Sequence, residues 1–155
     1  MEMGARGALV EFNRICKENN EIYHGVTRAL GLTDCAFWIL YTLRESEGEY
    51  TQRDLCAVLC EPKQTVNSAL KKLVEEGVLR LEAADGNLKN KRVCLTEAGE
   101  AFLRRTVDRV FGVESAAAAR LTEEERSALV ALSQKLLDAF RAETEAFLQT
   151  AAIGD

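Results

Sequence analysis

Seven polar side chains within residues 63–72 form the most chemically pointed stretch of the chain. Gln64, Thr65, Asn67 and Ser68 are short hydrogen-bonding groups, and Lys63, Lys71 and Lys72 are cations. At helical spacing they share the face opposite Val66, Leu70, Leu73 and Val74. Amides and hydroxyls in such an array can read base edges while lysines reach phosphates, so the chemistry on offer is recognition of duplex nucleic acid. A solvated face on any amphipathic helix would look the same, so the flanking elements decide. Downstream, Lys89, Asn90, Lys91 and Arg92 lie in NLKNKR (87–92), a run of cations without an acid. A basic hairpin tip suits the minor groove, whose negative potential attracts long cationic side chains; a charged turn would equally guard a sheet edge.

The elements that must position these residues follow from periodicity. Residues 8–30 place Leu9, Phe12, Cys16, Ile22, Val26 and Leu30 at helical spacing, and Gly31 is a natural stop. Thr33-Asp34 starts a second helix to Arg44 with little polar face, hence one buried on most sides. Thr51, with Asp54 three residues on, caps a short helix over 52–59. Glu61-Pro62 ends it and starts the next, because proline is tolerated in a first turn but not inside a helix. That next helix spans 63–76 and stops at Gly77. The period then changes: Val78, Leu79, Leu81 and Ala83 read as one strand and 92–95 as its partner, with DGNLKNK as the turn. Thr96 caps a helix expected to run unbroken to about Ala119, and Leu121-Thr-Glu-Glu-Glu125 is a capping box for a final helix to about Gln149. Helix, helix, helix-turn-helix, hairpin and two long helices make a mainly α chain with a winged helix-turn-helix and a two-stranded wing, whose second turn-helix member enters the major groove.

A net charge of −5 at first opposes nucleic-acid binding. Its distribution does not: residues 51–96 carry +2, against −3 before and −4 after. An acidic frame around a basic module confines contact to one surface. Five cysteines and the lack of an export signal point to reduced thiols and a cytoplasmic protein. Neither a membrane span nor a cofactor is expected. One histidine is too few for a His-rich metal site, and Cys56 and Cys60, one turn apart, lack the further ligands zinc needs; they read as small core residues. Without a phosphate loop, serine elbow or supported Cys-His pair, an enzyme is not expected.

The strings GLTDCAFWIL (31–40), TQRDL (51–55), KQTVNSALKKL (63–73), EGVL (76–79) and LTEAG (95–99) resemble the MarR family of bacterial regulators. The resemblance implies a homodimer in which residues 1–32 and 97–155 supply dimerisation helices and 33–96 the DNA-binding lobe. It also implies repression through a palindromic operator, relieved by a small molecule or oxidant. One departure stands out. The family's wing usually carries Asp-x-Arg where this chain has Asn87 and Lys89, and lysine lacks arginine's planar fork. An acidic total and a weakened wing also fit a winged-helix module that binds a protein partner instead of DNA.

In regulators of this type, effectors sit where the helical frame meets the DNA lobe. Tyr23, His24, Phe37, Trp38 and Tyr41 are the candidates, and rings with one titratable group suit a planar effector, anions included. A hinge core would use the same residues. Some members sense peroxides through a cysteine on the first helix, which singles out Cys16; Arg14 and Lys17 could lower its pKa, while Phe12 and Ile15 fit burial.

Overall fold

A computed structural model describes residues 4–46, 49–84 and 87–151. Helix α1 (Ala5–Ala29) ends where Gly31 takes a left-handed φ of +70°, with its N–H returning to Arg28 O. Helix α2 (Asp34–Glu45) starts from Thr33, whose hydroxyl accepts the Ala36 N–H. Its apolar residues point inward: Phe37, Ile39 and Leu40 are fully buried, each contributing about 1.5–3 kcal/mol. The expected capping box on α3 (Gln52–Leu59) is present. Thr51 N–H donates to Asp54 at 2.8 Å, and Asp54 N–H donates back to the Thr51 hydroxyl at 3.3 Å. Helix α4 (Lys63–Glu75) follows, buried along Val66, Ala69, Leu70 and Leu73.

The sheet is larger than expected. Strand β1 (Tyr50–Thr51), β2 (Leu79–Ala84) and β3 (Asn87–Leu95) lie in the order β1-β3-β2, all antiparallel. Two residues are too few for a period-2 pattern, so β1 is invisible to sequence reading. The hairpin is also tighter, since residues 87–91 belong to β3 and not to the turn.

A single point of closure joins the end of α4, both strands and α5 (Glu97–Arg105). Gly77 (φ +72°) terminates α4. Thr96 N–H then donates to Val78 O at 3.1 Å, and its hydroxyl donates to Gly77 O at 2.6 Å while accepting the Gly99 N–H at 2.9 Å. Gly99 lies so close that a Cβ there would stand 2.1 Å from Val78 O.

The long helix expected over 97–119 is two helices, α5 and α6 (Val107–Ala118). The break falls at buried Thr106 (φ −124°, ψ −86°), not at Gly99 or Gly112, both of which are helical. The Thr106 hydroxyl donates to Phe102 O and its N–H to Leu103 O, closing α5, while its own carbonyl accepts the N–H groups of Arg109 and Val110 to begin α6. Arg44 grips both sides of this break: its guanidinium donates to Asp108 at 2.7 and 2.6 Å and to Glu100 at 3.0 Å.

The chain packs as two compact units, Met1–Val110 and Phe111–Asp155. The first holds the core around α2, α4 and the sheet. In the second, Thr122 and Glu125 form the expected capping box of α7 (Glu123–Ala151). Leu129, Leu132, Leu136, Phe140 and Phe147 on that helix are all exposed. No described helix is long and apolar enough to cross a membrane.

Two predictions follow from these contacts. Gly99→Ala should cost about 2–3 kcal/mol, because backbone must move to admit the methyl; an unchanged urea midpoint would show that the junction yields freely. Asp108 is held below the ordinary aspartate range by its hydrogen bonds to Arg44, against desolvation. A depressed carboxyl lends stability that is present above its unfolded pKa and is lost as pH falls through the folded one. The stability gap between wild type and Asp108→Asn should therefore close as pH falls below that range in stepwise urea melts. A gap constant to low pH would count against the ion pair.

Candidate nucleic-acid interface

The turn between α3 and α4 sets the direction of α4. Cys60 caps α3 in the left-handed region (φ 53°), a conformation that L side chains adopt at a cost, and Glu61 and Pro62 lead into the next helix. Cys60 is exposed and Cys56 half-buried, so the expectation that both are core residues fails for Cys60: the reversal of the chain turns it outward.

From this start α4 presents every polar residue expected of it. Lys63, Gln64, Thr65, Asn67, Ser68, Lys71 and Lys72 are all exposed, while the opposite stripe is buried. They divide into two groups. Gln64, Thr65, Ser68 and Lys72 line a groove of about 840 Å³ whose far wall is Thr33, Asp34 and Cys35, with Glu61 and Pro62 at its end. Lys63, Asn67 and Lys71 are exposed but do not line that groove. The Ser68 hydroxyl donates to Gln64 O at 2.9 Å, which leaves it as an acceptor. Lys71 and Lys72 stand 3.8 Å from Glu75 and Glu76, exposed pairs too weak to hold them from phosphate.

The wing residues separate. Lys91 is exposed and pairs across the sheet with Ala83. Arg92 lies at the wing's root, not its tip. It pairs with Glu82 on one side and Thr51 on the other, and its guanidinium donates to Glu49 at 2.5 Å. Lys89 and Asn90 sit on β3 by backbone, and their side chains, like that of Asn87, are outside the described residues.

The aromatic candidates form one cluster. Trp38 touches Tyr23, Phe37 and Tyr41, with centroids 4.9–5.1 Å apart. Three of the five sequence candidates share a cavity: Tyr23, His24 and Trp38 line a cleft of about 590 Å³, with Asn20, Asp34, Val58, Leu59 and Glu61. Phe37 is fully buried and belongs to the core. Arg28 Nη2 lies 3.0 Å from His24 Nε2 and can only donate, so the ring proton sits on Nδ1, which faces Asp34 at 3.0 Å. Asp34 also accepts from the buried Thr27 hydroxyl at 2.5 Å. Its pKa is lowered first by Thr27 and then by His24. Asn20, Asp34 and Glu61 were missed in the sequence. Asp34 looked like a helix start and Glu61 like a helix end, and no spacing rule unites positions 20, 34 and 61.

Cys16 is exposed on α1, and Arg14, two residues before it, is engaged by Glu11 and Glu18. Burial, with Glu61 and Cys56 nearby, pushes the Cys35 thiol up to about 11.

A recognition-type helix set by a turn, followed by a hairpin and framed by long helices, defines a winged helix-turn-helix protein. Residues 24–87 match the model of the MarR family. Solved structures share its fold. The S. aureus MepR-DNA complex is 20% identical (TM-score 0.67; 84% of this chain, 96% of that one). A MarR family regulator from Neisseria meningitidis is 22% identical (TM-score 0.69; 87% and 96%). Bordetella bronchiseptica BpsR, described with regulation of its DNA binding by 6-hydroxynicotinic acid, is 20% identical (TM-score 0.62; 81% and 92%). A comparison with curated protein sequences finds no match.

Proposed function

We propose that this chain is a transcriptional regulator, a repressor, that binds a palindromic operator as a homodimer and changes its DNA affinity when a small molecule enters the cleft beside Trp38. The carrying observation is the outer face of α4. It places amides, hydroxyls and lysines in solvent on a helix whose other side is anchored in the core. Asn67 and Gln64 read base edges, with Thr65 and Ser68 beside them; Lys63, Lys71 and Lys72 hold phosphates. Asp34 and Glu61 border the groove that Gln64, Thr65, Ser68 and Lys72 also line, so the acids stand at its edge and a lysine faces them. On the wing, Lys89, Asn90 and Lys91 are the minor-groove contacts, while Arg92 braces the root. The fold shared with the MepR-DNA complex and with BpsR supports both DNA binding and control by a small molecule. We favour a ligand over an oxidant at Cys16, because Arg14 is already tied to two glutamates.

The second copy is argued from α7. A 29-residue helix with no buried residue and an exposed apolar stripe requires a partner surface.

The test is binding to the palindromic region upstream of the chain's own gene at several salt concentrations. A specific site with a steep negative log–log slope is expected, and a flat slope with no preference over random duplex would favour the protein-partner alternative. Lys63→Ala should weaken binding to all sequences and reduce that slope by about 1. Asn67→Ala and Gln64→Ala should change base preference by about 1–3 kcal/mol each; uniform losses from all three would show that α4 is not the reader. Phe140→Asp should reduce the dimer to monomer in light scattering, and an unchanged mass would remove α7 from the interface.

A further inference from the structure

The walls of the Trp38 cleft carry the same sign of charge as the anionic aromatic effectors such a cleft first suggests. We propose that it binds a hydrophobic cation, an apolar-bodied ammonium or phosphonium held between the rings of Tyr23 and Trp38 and the carboxylate of Glu61. This rests on the reading of the cleft as the effector site.

Among the eight lining residues are two carboxylates, Asp34 and Glu61, and neither lysine nor arginine. His24 is engaged at both ring nitrogens, by Arg28 at Nε2 and by Asp34 at Nδ1, and Arg28 itself is not among the lining residues. Asp34 is largely committed, accepting from Thr27 and His24 at the start of α2. Glu61 differs. It is exposed and makes no ion pair among the described residues, so its charge is available to a ligand. An anion in this cleft would meet two carboxylates with no lysine or arginine among the lining residues. A cation would meet a carboxylate beside two aromatic rings. Val58 and Leu59 supply an apolar floor, and about 590 Å³ accommodates a drug-sized body.

The position of Glu61 gives such a ligand a route to the DNA face. It lies in the turn between α3 and α4, two residues before Lys63, whereas Tyr23 and Trp38 belong to α1 and α2. A cation bridging the two sets fixes the start of α4 relative to the helices behind it, and its differential affinity for the two positions of the turn sets the change in DNA affinity.

Trp38 is the chain's only tryptophan, so its emission reports occupancy directly. The probe is tetraphenylphosphonium, with tetraphenylborate as an anion of like size and shape. Phosphonium should change Trp38 emission saturably, with borate about tenfold weaker or worse, and Glu61→Gln should weaken phosphonium about five- to tenfold. Equal or tighter borate binding, or phosphonium binding untouched by Glu61→Gln, would overturn the proposal. Operator binding is measured in parallel without either ion. If the protein binds operator but not phosphonium, the cation assignment falls and the regulator reading stands; phosphonium binding without operator binding gives the reverse. Phosphonium that occupies the cleft without altering operator affinity overturns its role as effector.

Discussion

The close approach of Gly99 to the Val78 carbonyl is the constraint on which the rest of the lobe depends. Four elements meet there: α4 ends at Gly77, β2 departs from Val78, β3 arrives at Leu95 and α5 begins after Thr96. Thr96 binds them through its N–H and its hydroxyl, and the missing side chain at residue 99 lets α5 sit flush against the turn. Because the same junction terminates α4 and roots the wing, the helix and the hairpin are held at a fixed relative angle. A reader helix and a cationic prong can engage neighbouring grooves only if that angle is held.

Most of this was legible in the residues. Helix starts carry local signatures, and the caps at Thr33, Thr51, Thr96 and Thr122 appear where side-chain chemistry places them. The outward face of α4 was equally readable, because burial and exposure alternate with a helical period. The missed features depend on distant partners. Strand β1 exists only because β3 passes beside it. The break at Thr106 depends on a threonine that is buried and bonded to the preceding turn, in a stretch whose glycines are the more obvious suspects. Arg92, one of several cations in the sequence, becomes a brace because Glu49 lies within reach once the sheet has formed. The composition of the cleft is the extreme case. Tyr23, His24 and Trp38 were visible as aromatic or titratable, but the acids that set its polarity come from the start of α2 and from the turn between α3 and α4.

Charge is arranged by layer. Cations occupy the exposed face of α4 and the wing, with Lys72 reaching the inner groove, while Asp34 and Glu61 border both that groove and the aromatic cleft. Each pocket therefore shares two residues with its neighbour. A change in the protonation or occupancy of one is felt electrostatically by the other, through side chains that stand next to the first turn of the helix that carries Lys63.

The two-residue strand β1 has a mechanical corollary. It pairs with β3 only at Val93 and Arg92, so the hairpin is three strands wide at its base and two strands wide from Lys91 and Ala83 outward, where the register also shifts. Bending stiffness in a sheet grows with the number of hydrogen-bonded strands, and narrow ribbons twist most readily. Arg92 thus clamps the base of the wing, and beyond it the two described strands are held only to each other.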